Sequence, residues 1–74
     1  MKGILLVQLA VDEKTGQIDR EAPFLVIAPQ PESPGLYDND RDVIAQIAYD
    51  ECEAKFEAEW VDGKWVLGKR VAGA

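Results

Sequence analysis

Residues 38–60 read DNDRDVIAQIAYDECEAKFEAEW, and this stretch decides the fold that the sequence predicts for the chain of 74 residues. No other stretch is both long enough and periodic enough to form a sizeable helix. At ~100° per residue, its apolar side chains fall on a single stripe. The stripe consists of Ala45, Ala48, Tyr49, Cys52 and Phe56, with Ile44 and Ile47 beside it. We therefore predict a helix that begins between residues 38 and 40, with Asn39 as its N-cap, and ends near residue 57 or 58.

The same stretch carries the whole charge imbalance of the protein. It holds eight acids and two bases, whereas the rest of the chain holds six of each, so the net charge of −6 belongs to this stretch. On the predicted helix, a second stripe is formed by Gln46, Asp50, Glu53 and Glu57. Like charges at these spacings cost roughly 0.2–0.5 kcal/mol per pair, and a helix selected only for stability would interleave lysines. We therefore predict that these four residues form an acidic, partner-binding helix face. The alternative is a solvated face that only confers solubility.

Two strands are predicted before the helix. Residues 3–11, GILLVQLAV, are apolar on both faces, which is typical of a central strand. Residues 12–17 form a turn in which Gly16 supplies a positive φ, and a second strand follows from residue 17 or 18 to residue 28. Pro23 lacks an amide donor and is expected at a bulge or on an edge. We predict that the two strands pair as an antiparallel hairpin.

The connection from the second strand to the helix is rich in proline. Residues 29–37, PQPESPGLY, hold three prolines and a glycine. This composition predicts a stiff, extended connection without regular structure.

A second hairpin is predicted near the C-terminus. Asp62-Gly63 is a strong two-residue turn signal, with a short strand before it and a strand from residue 64 to about residue 71 after it. In this register Trp60 faces Trp65, which is a favourable aromatic pair. Whether residues 57–61 are helix or strand is left open by the sequence.

Together these elements predict a single α+β domain over residues 1–74. Its architecture is an antiparallel sheet, in the order β-β-α-β-β or β-β-α-β, with one helix packed on one face. A domain of this size buries only ~60% of the surface that its unfolded chain exposes. The lone cysteine excludes an intramolecular disulfide, so oligomerisation or a tight partner is the stabilising device left open.

The sequence argues against catalysis. It contains no histidine, so the commonest general base is absent. Ser33 and Thr15 have no recognisable base nearby, and Cys52 lies on the apolar stripe, where a small core residue is expected. Asp50 and Glu53 lie on a solvated face and not in a cleft, which does not suit an acid–base pair. We predict that the protein is not an enzyme.

Three aspartates have the spacing that begins a calcium-binding loop: Asp38, Asp40 and Asp42. The sixth position of such a loop is normally glycine and is Val43 here, and the twelfth is normally glutamate and is Tyr49. The aspartates instead suit the N-terminus of a helix, because they complement its dipole. No metal and no cofactor is predicted.

Composition also limits the partners and the location. The acidic charge opposes direct binding of nucleic acid or of an anionic membrane. The apolar run near the N-terminus is short, contains Gln8 and lacks a small-residue cleavage site, so no signal peptide is predicted. No stretch approaches the ~20 apolar residues of a membrane span. We predict a cytoplasmic protein.

The sheet is expected to have one uncovered face, because one helix covers only the other. On the first strand, Ile4, Leu6 and Gln8 point to the face opposite that of Leu5, Val7 and Leu9. These three residues are therefore predicted contacts on the uncovered face. A second copy of the chain, another partner or the proline-rich loop could cover them. A symmetric homodimer is the simplest closed solution.

No motif identifies a family. In size and charge the chain is similar to the small acidic single-domain proteins that phages make to inhibit host nucleic-acid-binding machinery, such as CRISPR or restriction complexes. This resemblance implies a protein partner with a basic surface. We therefore expect a non-enzymatic protein that acts by protein–protein interaction through its acidic helix. The alternative is a structural homodimer subunit that associates through the apolar sheet face.

Overall fold

The computed structural model describes residues 2–27, 35–38 and 40–71, which form a small domain dominated by a curled antiparallel sheet. The elements of the described residues are β1 (Lys2–Gln8), β2 (Ala10–Val11), β3 (Ile18–Asp19), β4 (Phe24–Ile27), β5 (Gly35–Tyr37), α1 (Arg41–Ala45), β6 (Glu53–Val61) and β7 (Lys64–Arg70). The predicted antiparallel sheet with one helix is confirmed in this coarse form. The predicted element order is not matched, since these residues contain seven strands where the sequence predicts three or four.

β1 is the central strand of the main sheet, whose strand order over the described residues is β5-β4-β1-β6-β7. β1 and β4 are antiparallel, with Val7 opposite Val26, so the predicted first hairpin is confirmed. The two predicted strands are each interrupted, however, and their far ends pair separately as β2 and β3. Gly16 has a φ of 72° in the turn between β2 and β3, as predicted. Pro23 lies just before β4, outside the ladder, where its missing amide donor is tolerated.

The predicted long helix is wrong. Over the described residues the helix of this region is α1, which ends at Ala45, and residues 53–61 form β6. Ala, Glu and Lys are strong helix formers, so local propensity favours a helix over β6. Yet Ala54, Phe56 and Ala58 are buried and alternate with exposed charged residues, which is the period of a strand.

Tertiary pairing explains why the strand is formed. β6 pairs with β1 along seven residues, from Lys2↔Glu59 to Gln8↔Glu53, and pairs with β7 on its other side. A helix here would leave the backbone groups on one side of β1, and those of β7 that face β6, without partners. The sheet ladder therefore overrides the helix propensity of the isolated segment.

The predicted apolar stripe is correspondingly broken. Cys52 is exposed and not a core residue, and Tyr49 is 85% exposed. Ala45 and Ala48 are also exposed, whereas Ile44, Ile47 and Phe56 are buried. The N-cap of α1 is Asp40, and the predicted N-cap Asn39 lies outside the described residues.

The C-terminal hairpin is confirmed. Asp62 and Gly63 have φ values of 50° and 83°, so both turn residues adopt the left-handed conformation that a two-residue hairpin requires. Trp60 lies opposite Trp65, and their rings meet edge to face with centroids 5.4 Å apart. Residues 57–61 are thereby shown to be strand.

The proline-rich connection was predicted to lack regular structure, but its last part forms a strand. Residues 35–37 form β5, which pairs with β4 and places Tyr37 opposite Phe24 with stacked rings. Residues 28–34 and 72–74 lie outside the described part of the chain.

The core lies on one face of the sheet, which we call the inner face. Its buried apolar residues are Leu5, Val7, Leu9, Phe24, Val26, Val43, Ile44, Ile47, Ala54, Phe56, Ala58 and Trp65. Val43, Ile44 and Ile47 come from α1 and the turn after it, so this short segment covers the inner face. The opposite face of the sheet is left uncovered by the described residues.

Candidate functional site

The structure separates the four residues of the predicted acidic helix face. Gln46 is the C-cap of α1, and Asp50 lies in the turn that follows. Glu53 and Glu57 lie on β6, where they project from the uncovered face of the sheet. The predicted helix face therefore does not exist, because the helix that would align these residues ends before them.

Gln46 is engaged by the edge strand β7. Its Nε2 donates to the carbonyl oxygen of Gly68 at 3.2 Å, and the amide of Arg70 donates to its Oε1 at 2.8 Å. The side-chain amide thus bonds to both a donor and an acceptor of the β7 backbone, as a neighbouring strand does. This contact fixes the turn after α1 against the sheet.

An ion pair reinforces the same contact. Arg70 Nη1 donates to Glu51 Oε1 at 2.8 Å and to the carbonyl oxygen of Gln46 at 3.1 Å. The hydrogen bond from Arg70 lowers the pKa of the Glu51 carboxyl below its ordinary value, and the bond to Glu51 raises the pKa of Arg70. Glu51 is therefore held as a carboxylate and acts in the fold.

Arg20 is a structural residue that the sequence analysis missed. Its Nη2 donates to the carbonyl oxygens of Ile44 at 2.6 Å and Ile47 at 2.9 Å, and its Nη1 donates to that of Ala48 at 3.4 Å. Its guanidinium also lies 4.4 Å from the centroid of the Tyr49 ring. It adds a charged donor to carbonyls at and just after the end of α1, and those of Ile44 and Ala48 also accept from the amides of Ile47 and Glu51. No local pattern marks this role, because Arg20 is distant in sequence from the carbonyls it binds.

Residues 38–52, which include α1 and the turn after it, are rich in acids, and we call them the acidic segment. It holds five acids and one base. Asp40 is used as the N-cap, since its Oδ1 accepts from the amide of Asp42 at 3.0 Å, and Glu51 is used by Arg70. Asp38, Asp42 and Asp50 are exposed, and their carboxylates form no ion pair within the described residues. These three carboxylates are available to a partner.

A depression of about 540 Å³ adjoins the start of the acidic segment. It is lined by residues of β4, β5 and β7 together with Asp38, Asp40 and Arg41. Trp65 also lines it; this residue is 5% exposed, and its Nε1 is buried without an acceptor among the described residues. A buried indole N–H ordinarily has a partner, so this N–H is an exception within the described residues.

The uncovered side of the sheet, which we call the outer face, is the second candidate surface. Its residues are Lys2, Ile4, Leu6, Gln8, Leu25, Ile27, Glu53, Lys55, Glu57, Glu59, Val61, Lys64 and Val66. The predicted sheet-face residues Ile4, Leu6 and Gln8 do lie on it. Ile4 is 53% exposed, Leu6 and Gln8 are half-buried, and Gln8 Nε2 donates to Glu53 Oε2 at 2.9 Å.

The outer face mixes apolar and charged residues evenly. Six of its residues are apolar, three are lysines and three are glutamates. Oppositely charged neighbours occur across the strands, as where Lys2 lies opposite Glu59. A depression of about 590 Å³ lies here, with Ile4, Val61 and Val66 among its lining residues. The face thus mixes apolar and charged residues and has no net charge, in contrast to the acidic segment.

The described residues contain no cluster of three or more potential metal ligands, and they contain no helix long and apolar enough to cross a membrane. Comparison of the chain with family models, curated proteins and solved structures finds no match to any of them. The acidic segment and the outer face are therefore the candidate functional surfaces.

Proposed function

We propose that this chain is a non-enzymatic, cytoplasmic protein that acts by protein–protein interaction, and that its acidic segment binds a basic surface of a partner protein. Nucleic-acid-binding machinery provides such surfaces, because grooves built for phosphates carry clustered lysines and arginines. The protein would then compete with nucleic acid for that groove. An inhibitor of a host-defence complex such as CRISPR or restriction machinery is the form of this function that the size and charge favour.

The uneven distribution of charge in the fold is the observation that carries the proposal. The acidic segment has a net charge of −4, whereas β1, β6 and β7 together hold three acids and five bases. The negative charge is thus concentrated away from the three largest strands. Within the described residues, Asp38, Asp42 and Asp50 form no ion pair that binding would have to break. The adjoining depression, which Asp38 and Asp40 help to line, offers a place for a partner side chain.

Reversal of three charges tests the proposal. The triple variant Asp38→Lys, Asp42→Lys and Asp50→Lys leaves the N-cap Asp40 and the Glu51–Arg70 ion pair intact. The matched control reverses Glu53, Glu57 and Glu59 on the outer face, which changes the net charge by the same amount. Tagged protein is used to capture partners from a host lysate, and each captured protein is then purified and titrated against both variants.

We expect basic partners to bind the wild type and the outer-face control but not the acidic-segment variant. Affinity should also fall steeply with salt, because exposed charges are screened within about 10 Å at 0.1 M ionic strength. Equal loss in both variants would show that only net charge matters, and retention in the acidic-segment variant would show that binding uses another surface. Either result would overturn the proposal. Circular dichroism confirms that each variant is folded.

A further inference from the structure

We propose that the outer face is an interface between two copies of this chain, which pack sheet against sheet as a symmetric homodimer. This interface is separate from the acidic segment and goes beyond the function proposed for it. Three observations support this proposal: the exposed apolar residues, the balance of charge and the size of the face.

The exposed apolar residues of the outer face are unusual for a surface of this size. Ile4 is 53% exposed, Val66 48% and Val61 39%, and all three line the same depression. Leu6, Leu25 and Ile27 extend this apolar surface towards β4 and are only half-buried. Contiguous apolar surface on a sheet is ordinarily covered, because each Å² removed from water contributes about 25 cal/mol. No described residue covers it.

The balance of charge identifies a second copy as the occupant. A chain with a net charge of −6 repels its own copy at most surfaces. The outer face escapes this repulsion, because its three lysines and three glutamates cancel. In a two-fold interface each lysine of one copy can meet a glutamate of the other, since every contact occurs twice with the roles exchanged. A strongly basic partner would gain no net attraction from a face whose charges cancel.

The size of the face suits a small dimer. The five strands of the sheet hold 30 residues, which at ~3.3 Å per residue and ~4.8 Å between strands give a projected area of about 480 Å². Side chains standing on the pleated surface raise the accessible area above this figure. Standard interfaces bury about 800 Å² per partner, so an interface on this face would be at the small end of the range and its association modest. Two twisted sheets packed face to face form a β-sandwich, in which facing side chains interdigitate.

Sedimentation velocity of the whole chain tests the inference over about a hundredfold range of concentration. The wild type should approach twice the chain mass of 8.2 kDa. Ile4→Glu and Val66→Glu, tested separately, should each weaken the dimer by about tenfold or more, because each places a charge in the apolar centre. Val11→Glu is the matched control; Val11 is 49% exposed but lies on β2, outside the outer face.

The expected result is a dimer for the wild type and the Val11→Glu control, and a monomer for the two face variants at the same concentrations. The dimer should persist at high salt, whereas binding through the acidic segment should not. A wild type that is monomeric at the highest concentration would overturn the inference. So would a dimer that both face variants retain.

Nuclear magnetic resonance provides a second test that does not depend on any variant. Dilution should shift amide signals of β1, β6 and β7 while leaving those of residues 38–52 unchanged. The reverse pattern would place self-association on the acidic segment and contradict the inference. Reversal of Asp38, Asp42 and Asp50 should leave the dimer intact, so failure of the proposed function and failure of the dimer give different results.

Discussion

At the residue scale, Arg20 has the largest structural role of any single charged side chain that we describe. It donates to three backbone carbonyls at the end of α1 and contacts the Tyr49 ring, although it comes from the segment just after β3. Hydrogen bonds from a charged donor are stronger than those between neutral groups. Arg20 therefore holds the helical segment through hydrogen bonds to backbone carbonyls. These carbonyls remain when the side chains of residues 44–48 are substituted.

We predict that Arg20→Ala lowers the free energy of unfolding by about 2 kcal/mol, because it removes charge-assisted hydrogen bonds to the partly buried carbonyls of Ile44 and Ile47. Arg20→Lys should recover part of this loss, since an ammonium can still donate but cannot span all three carbonyls. Urea denaturation followed by tryptophan fluorescence measures both. Lys14→Ala in the exposed turn after β2 is the control, and it should change stability by less than about 0.5 kcal/mol. Equal stability of Arg20→Ala and this control would contradict the role assigned to Arg20.

At the element scale, the conformation of the two-residue turn determines how β6 and β7 pair in the C-terminal hairpin. Both turn residues have positive φ, and this twist matches the right-handed twist of β6 and β7. The Trp60–Trp65 pair then lies between the pairs Glu59↔Val66 and Val61↔Lys64 in a continuous register. The hairpin completes the inner face, because Trp65 is part of the core.

We predict that Gly63→Ala lowers the free energy of unfolding by about 1 kcal/mol, because a Cβ is strained at a φ of 83°. Gly68→Ala is the matched control on the same strand, since its φ lies outside the left-handed region. A Cβ there would lie 3.4 Å from the carbonyl oxygen of Glu57, which is ordinary van der Waals contact. Its stability should change by less than about 0.5 kcal/mol. Thermal unfolding of both variants measures the difference, and a larger loss for Gly68→Ala would contradict the argument.

At the scale of the whole molecule, the turn after α1 and the edge strand β7 are joined by the Glu51–Arg70 ion pair and by Gln46. Because the Glu51 pKa is lower in the folded protein than in the unfolded chain, the unfolded chain takes up a proton first as the pH falls. The stabilisation from this carboxylate is thus complete above its ordinary pKa. It is lost as the pH falls through the lowered pKa of the folded protein.

We predict that stability declines on acidification and that Glu51→Gln shows a smaller decline, because it lacks this titrating carboxylate. Urea midpoints measured from neutral to strongly acidic pH compare the two proteins. The Arg70 pKa is raised, so its guanidinium stays charged throughout this range and the difference reports Glu51. Parallel pH profiles for the wild type and the variant would show that the ion pair contributes nothing to folding.

Local sequence signals predicted the hairpins and missed most of β6. Gly16 and Asp62-Gly63 have conformational requirements that few residues share, so the turns at both positions were predictable. The first part of β6 was predicted as helix because Phe56 continues the apolar stripe of Ala45, Ala48, Tyr49 and Cys52 at helical spacing, although the buried residues of β6 recur at every second position. The acidic helix face failed with it, since Glu53 and Glu57 belong to the strand.

The sequence by itself determined the antiparallel hairpins, the face of β1 that enters the core, and the excess of acids between residues 38 and 60. Each of these follows from residues close together in the chain, through turn conformation, two-residue alternation or simple composition. Only the tertiary structure decided that β6 is a strand and that its glutamates share a neutral face with lysines of β1 and β7. The physical reason is that the ladder joining β6 to β1 links residues about 45 to 57 positions apart, and no local preference encodes such a pairing.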